Sequence, residues 1–159
     1  MKFTPGQLRE ALGLTQDTFR HWKRALPPLS GRNGYRPCFT PGDLFAVAVV
    51  KVLSDEAGVR VGALGPVAEN LFRLCNETAW TALERATLLV EPSEGRITVA
   101  SEGQPIRAVG TAIQVVCRPI VARLRDHLLP EAATEPQQIL RFPPAVIGGN
   151  LRSAGGEKE

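Results

Sequence analysis

Cysteine, histidine and aromatic residues are scarce in this chain of 159 residues, which has three cysteines, two histidines and 6% aromatic residues. Cys38, Cys75 and Cys117 lie far apart and form no C-x-x-C pair, so the pattern favours a reduced, intracellular protein with ordinary buried thiols. Neither His21 nor His127 has a cysteine at ligand spacing. The sequence therefore predicts no metal site and no disulfide framework.

Long apolar runs are also lacking. No stretch of about 18 apolar residues occurs, which predicts that no helix spans a membrane. The opening residues, MKFTPGQLRE, lack the apolar core of a signal peptide. We therefore expect a cytoplasmic protein, associated with the nucleoid if it binds DNA, and no membrane partner.

Sequence motifs for catalysis are missing as well. Carboxylates do not cluster along the chain, no G-x-S-x-G occurs, and no glycine-rich loop precedes a Lys-Ser or Lys-Thr pair. These absences predict that the protein is not an enzyme and needs no cofactor.

Positive charge, by contrast, is concentrated at the start of the chain. Residues 1–40 carry seven basic and two acidic side chains, a net charge of +5, whereas the whole chain carries only +3. The rest of the chain therefore sums to −2. A basic end on a nearly neutral body predicts a localised surface for phosphate groups.

The first 25 residues predict two short helices joined by a turn. Residues 4–7, Thr-Pro-Gly-Gln, form a capping box with proline at the first helical position. Gly13 ends this helix, and Thr15 caps the next one. Phe19 and Trp22 lie three residues apart and form the apolar face of the second helix. Two helices joined by a short turn containing glycine constitute the helix-turn-helix pattern.

A basic loop follows this pair of helices. Pro27 and Pro28 prevent the second helix from continuing. Asn33-Gly34 is among the strongest dipeptides for a hairpin turn, and basic residues and one tyrosine flank it. The segment of residues 29–39 is therefore predicted to be a two-stranded wing.

Two longer helices complete the first part of the chain. Thr40 and Asp43 repeat the capping pattern and predict the start of an apolar helix over residues 41–57. Gly58 ends this helix. A fourth helix is expected from Gly62 or Ala63 to Cys75.

In this order, the elements resemble the DNA-binding domain of the MerR family of transcription regulators over residues 3–75. The matching residues are Leu8, Leu12, Gly13, Leu14, Thr15, residues 18–22, residues 33–36, Thr40, Asp43, Leu44, Leu53 and Gly58. The resemblance implies a winged helix-turn-helix fold and double-stranded DNA as the partner.

A helix-turn-helix places the first residues of its second helix at base edges, while basic residues fix the phosphate backbone. Gln16, Asp17 and Arg20 are therefore candidate base readers, and His21, Lys23 and Arg24 are candidate phosphate contacts. The full predicted set of DNA-binding residues is Thr15, Gln16, Asp17, Thr18, Arg20, His21, Lys23, Arg24, Arg32, Asn33, Tyr35, Arg36 and Arg60. The alternative is a solvated charged face; for Asn33, a role in the turn is the competing interpretation.

The segment of residues 77–130 predicts a hairpin and a long helix. Residues 87–90 and 96–100 are rich in β-branched side chains and are separated by a turn. From Ile106 onward, apolar residues recur every three or four positions, which indicates a helix that Pro119 kinks or splits. We predict that this helix forms a homodimer through Val109, Ile113, Val116, Ile120, Leu124 and Leu128. The alternative is that the helix packs on its own domain.

The predicted fold is mainly α with a small β wing. It comprises a winged helix-turn-helix domain (residues 1–76), a hairpin and long C-terminal helix that dimerise (77–130), and a flexible tail (131–159). The predicted function is that of a homodimeric, sequence-specific DNA-binding regulator of transcription. The alternatives are an architectural or excisionase-like DNA-binding protein, an adaptor that binds RNA polymerase or another regulator through residues 77–130, and an effector-binding sensor.

Overall fold

A computed structural model describes residues 1–129 of the chain. The predicted flexible tail, residues 131–159, lies outside the described residues. Within the described part the chain is helix-rich with one small antiparallel sheet. Its elements are α1 (Pro5–Leu12), α2 (Gln16–Ala25), α3 (Pro41–Asp55), α4 (Gly65–Glu77), α5 (Trp80–Leu83), β1 (Ala86–Glu91), β2 (Arg96–Ser101), β3 (Ile113–Val116) and α6 (Cys117–Leu128).

The predicted capping of the first two helices is confirmed. The Thr4 Oγ1 accepts the Gln7 backbone N–H at 3.2 Å, and the Gln7 Oε1 accepts the Thr4 N–H at 2.9 Å. Gly13 ends α1 at φ +61°, a conformation that costs glycine little. The Thr15 Oγ1 then accepts the Thr18 N–H at 3.1 Å and starts α2. These local interactions fix the turn between α1 and α2 at three residues.

Helix α3 lies at the centre of the core. Its residues 42–50 are all buried, because the helix is apolar around most of its circumference. Helices α1, α4 and α6 and strand β3 pack against it. This arrangement joins the predicted N-terminal domain and the following segment through one continuous hydrophobic core.

The predicted hairpin is confirmed. Strands β1 and β2 pair antiparallel from Ala86 opposite Ser101 to Glu91 opposite Arg96. Gly95 closes the turn at φ +60°. Strand β3 pairs with the other edge of β1, so the strand order is β2-β1-β3.

The prediction of one long helix from Ile106 to Leu128 is wrong. Ile113–Val116 is the strand β3, and the helix begins only at Cys117. The β-branched side chains of this strand suit a pleated sheet, and β1 offers them an edge with which to pair. Pro119 does not kink the helix, because it lies in the first turn of α6, where its missing N–H would have no helical partner.

The prediction of a two-stranded wing over residues 29–39 is also wrong. Residues 30–38 form no strand; instead Phe39 pairs with Phe3, with the Phe3 N–H 2.7 Å from the Phe39 oxygen. A type I′ turn needs positive φ at both central residues, but here Gly34 has φ +103° while Asn33 does not have positive φ. The segment is therefore a loop whose end is attached to the N-terminus of the chain.

Candidate nucleic-acid interface

Helix α2 has an apolar face and a polar, basic face. Phe19 and Trp22 are buried, and the Phe19 ring meets the Phe39 ring edge-on at a centroid distance of 6.0 Å. Gln16, Arg20 and Arg24 are exposed on the outer surface. The apolar pair thus orients the helix so that its basic side chains point to solvent.

The start of α2 presents polar side chains. The Thr15 hydroxyl donates to the Thr18 Oγ1 at 2.8 Å, so both threonines belong to the cap. Asp17 and Arg20 form an ion pair at 3.6 Å, but both side chains are largely exposed. Such exposed pairs contribute little free energy, so Arg20 is free to exchange Asp17 for another acceptor.

A basic concave surface lies where α2 meets the following loop. The Lys23 ammonium donates to the Asn33 Oδ1 at 2.6 Å and connects the two segments. The concave surface has a volume of about 320 Å³ and is lined by Arg20, Lys23, Arg24, Ser30, Gly31 and Asn33. Three of these side chains are cationic and none is acidic. The surface therefore favours an anionic group with several acceptor oxygens. We call this set of six residues the basic cleft.

Arg32 does not belong to the basic cleft. Its guanidinium donates to the buried Asp43 carboxylate and to the Cys38 oxygen at 3.3 Å, and it lies 5.5 Å from the centre of the Phe39 ring. The Arg32 side chain anchors the loop to the start of α3 and is 33% exposed, so its predicted contact with DNA stays a prediction.

Sequence reasoning missed the network around Asp43, which is only 1% exposed. Burial raises the pKa of this carboxyl, but hydrogen bonds from the Thr40 N–H, Asn76 and Arg32, together with the Arg32 charge, more than reverse this. The net pKa is below the ordinary value, so Asp43 is an anion at neutral pH. The capping pattern identified Asp43 as a helix cap, but it gave no indication of Arg32 and Asn76 as partners.

Asn76 attaches the end of α4 to this network. Its side-chain amide donates to the Asp43 Oδ1 at 3.0 Å and to the Phe72 oxygen at 2.8 Å. A Cβ atom at Gly42 would lie 2.7 Å from Asn76, so only glycine allows this close approach. The loop of residues 30–38 is thus held by α3 and α4 together.

The tip of the loop presents Tyr35 and Arg36 to solvent. Tyr35 is 98% exposed, and Arg36 is exposed beside it. An aromatic ring and a guanidinium, next to the basic cleft at Asn33, extend the cationic surface beyond α2. Both side chains are therefore exposed at the tip of the loop, although the loop is not a two-stranded wing.

Arg60 is exposed immediately before the short 3₁₀ turn Val61–Leu64. That turn packs against α2. Arg60, which is remote in sequence, therefore immediately precedes a turn that packs against α2. His21, the remaining predicted contact, is exposed on α2.

The six predicted dimerisation residues do not form one helical face. Ile120 and Leu124 are each 2% exposed and belong to the hydrophobic core. The helix packs on its own domain through these two residues, which was the alternative interpretation. The other four are dispersed: Ile113 and Leu128 are partly buried, and Val109 and Val116 are exposed outside the helix.

Cys75 and Cys117 are buried free thiols, as predicted. Burial raises the pKa of Cys117 to about 11 and raises the pKa of Cys75 further. Both thiols are therefore protonated and unreactive at neutral pH. Among residues 1–129, no three His, Cys, Asp or Glu side chains converge as ligands for a metal ion.

Within the same described part, no helix combines the length and the apolar character needed to cross a bilayer. Comparison of the chain with models of protein families, with curated proteins and with solved structures finds no match. The resemblance to MerR regulators therefore stays a prediction from the residues.

Proposed function

We propose that this protein is a sequence-specific, double-stranded DNA-binding regulator of transcription that acts as a homodimer. Its DNA-binding region would be a MerR-like helix-turn-helix domain with α2 as the recognition helix. The observation that carries the proposal is the basic cleft, where three cations of α2 and a polar loop surround one concave surface.

The position of each side chain on α2 suggests its role. Gln16 and Arg20 lie in the first half of the helix, where side chains reach base edges in the major groove. Lys23 and Arg24 lie in the last turn and would contact the phosphate backbone from the basic cleft. Sequence-specific contacts and backbone contacts are thereby separated along one helix.

The loop of residues 30–38 would replace the wing. Tyr35 and Arg36 would contact the DNA beside the recognition site, and Arg60 would add a further cation. Arg32 has a different role, because its ion pair with Asp43 sets the position of the loop. We therefore propose Arg32 as a positioning residue.

The test begins with selection of bound sequences from random double-stranded DNA by the purified full chain. The affinity for the enriched sequence is then measured by fluorescence anisotropy over a range of salt concentrations. Arg24→Ala should weaken binding and reduce the salt slope by about one counterion, because one phosphate contact is lost. Arg118→Ala removes the same charge from an exposed site on α6 and should change neither value.

The proposal predicts an enriched sequence with two related half-sites. Equal loss of affinity in the Arg24 and Arg118 variants would show that only total charge matters, and it would contradict the role of the basic cleft. A footprint that spreads over arrays of sites, with strong DNA bending, would favour the architectural alternative instead.

A further inference from the structure

Strand β2 is an edge of the sheet, and its central residues lack the usual protection. Natural edge strands carry lysine, proline or a bulge that prevents another strand from pairing. Residues 97–100 of β2 are Ile-Thr-Val-Ala, without charge, proline or glycine, and Val99 is 38% exposed. The register with β1 is continuous and contains no bulge.

The hydrogen-bond pattern identifies the backbone groups that face outward. The Glu102 N–H donates to the Arg85 oxygen at 3.2 Å, which makes these two residues a hydrogen-bonded pair of the antiparallel ladder. Hydrogen-bonded and non-hydrogen-bonded pairs alternate along such a ladder, so every second residue of β2 before Glu102 also bonds to β1. Arg96, Thr98 and Ala100 therefore bond to β1. The N–H and C=O groups of Ile97, Val99 and Ser101 point away from β1. The Ser101 oxygen also accepts the Gln104 N–H at 3.0 Å within its own chain, and its second lone pair faces the edge.

A second copy of β2 fits this edge in one centred antiparallel register. Val99 would lie opposite Val99 of the second copy, and Ile97 opposite Ser101, so that every outward-facing group meets another outward-facing group. The same register sets Arg96 opposite Glu102 of the second copy in a non-bonded pair, where side chains are closest. Within one chain, Arg96 lies 3.9 Å from Glu91 and from Glu94, and Glu102 lies 3.9 Å from Arg118. These long pairs leave both charges able to face the second copy, so the strand is self-complementary in hydrogen bonds and in charge.

The surface beside β2 has space for the added side chains. A groove of about 510 Å³ lies between β2 and α4. Most of its lining is polar or charged, and Ile97, Val99 and Leu74 form its apolar part. In the proposed register, the Val99 side chains of the two copies lie side by side, each over the groove of its own chain. Apolar contact would therefore accompany the backbone hydrogen bonds.

We propose that two copies of this chain associate through β2 to form a continuous antiparallel sheet about a two-fold axis at Val99. The inference deepens the proposed function and rests on its homodimer. It places the interface on β2 in place of the helix predicted from sequence. Both copies use the same surface in such an isologous contact, so the assembly is complete as a dimer.

The most direct test is a symmetric disulfide. In the proposed register the Cα atoms of the two Val99 residues lie about 5.5 Å apart, within the range of a disulfide. Val99→Cys in a Cys38→Ser background should give a covalent dimer on mild oxidation, with the 99–99 link identified by mass spectrometry. Thr98→Cys in the same background is the control, and it should remain non-covalent because Thr98 faces Ala100.

Charge reversal provides an independent test. Glu102→Arg should raise the dimer dissociation constant about five- to tenfold in sedimentation equilibrium, because it sets like charges opposite each other at two symmetric sites. Glu56→Arg makes the same charge change at an exposed position outside β2 and should leave association unchanged. A monomeric wild type, absence of the 99–99 link, or equal weakening by Glu56→Arg would overturn this interface.

DNA binding separates this inference from the proposed function. Glu102→Arg should lose affinity for the two-half-site DNA but keep the affinity for a single half-site. Intact dimerisation through β2 with no sequence-specific DNA binding would overturn the proposed function and leave the interface standing. Specific binding by a protein that does not pair through β2 would do the reverse.

Discussion

Helices α2 and α6 are both amphipathic and both rich in basic side chains, yet their cations have different surroundings. On α6, Arg125 bonds to the Glu84 carboxylate at 2.9 Å, and Arg118 faces Glu102 at 3.9 Å. On α2, Arg20 lies 3.6 Å from the exposed Asp17, and Lys23 donates to the neutral Asn33. Basic composition alone therefore does not distinguish an interface. Arg123 of α6 is likewise exposed and has no ion-pair partner among residues 1–129. What distinguishes α2 is that three cations line one concave surface whose lining contains no acidic side chain.

The largest expected effect concerns the apolar faces, which the two helices have in common. Trp22→Ala in α2 should lower the free energy of unfolding by about 3–5 kcal/mol, and Leu124→Ala in α6 by about 2–5 kcal/mol. Urea denaturation followed by circular dichroism measures both. A loss below about 1 kcal/mol at either site would show that the helix is not part of the core.

The second prediction separates a structural arginine from the arginines of the basic cleft. Arg32→Ala should cost about 1–3 kcal/mol, because the buried Asp43 carboxylate loses a charged partner. Arg24→Ala should leave stability within about 0.5 kcal/mol of wild type. Thermal unfolding of the two variants under one condition provides the comparison, and equal losses would refute the distinction.

The same ion pair predicts a dependence of stability on pH. The folded pKa of Asp43 is lowered, so its contribution is complete above the unfolded value of about 3.9 and disappears as pH falls toward the folded pKa. Arg32→Ala should make the loss of stability below about pH 4 less steep. Asp43→Asn should remove this contribution altogether. If the free energy of unfolding of both variants fell with pH as steeply as that of the wild type, Asp43 would not be the source of the pH dependence.

The third prediction concerns DNA affinity and tests the two helices directly. Arg20→Ala should cost about 1–3 kcal/mol in binding to the selected sequence and should relax preference at one base position. Arg125→Ala removes the ion pair with Glu84 and should leave the affinity for DNA unchanged. Competition with single-base variants of the site shows whether Arg20 reads a base or only adds charge.

The smallest effect is expected at the connection between α2 and the loop. Asn33→Ala removes the acceptor of Lys23, and this exposed bond should contribute less than about 1 kcal/mol to stability. The freed lysine should keep its phosphate contact, so the salt slope should not change. A large loss of DNA affinity would mean that Asn33 itself contacts the DNA.

The sequence was most informative where structure depends on neighbouring residues. The caps at Thr4 and Thr15, the turn at Gly13 and the apolar pair in α2 follow from interactions within three or four positions. The exposed basic residues of α2 were predictable for the same reason. Helical spacing and capping chemistry can be read directly from the chain.

The sequence misled where distant partners decide the structure. Asn33-Gly34 favours a hairpin locally, but the Arg32–Asp43 ion pair and the Phe3–Phe39 bridge hold the segment as a loop. The apolar residues from Ile106 to Leu128 match a helical period, yet an open edge of β1 recruits Ile113–Val116 as a strand. Tertiary pairing overrode local preference in both cases.

The central claim is that the cations clustered on α2 form a DNA-binding surface. The most direct measurement is the salt dependence of affinity for the selected double-stranded sequence in Lys23→Ala/Arg24→Ala and in the matched variant Arg118→Ala/Arg125→Ala. The account predicts a salt slope lowered by about two counterions in the α2 variant and an unchanged slope in the α6 variant. Equal slopes in the two variants would contradict it.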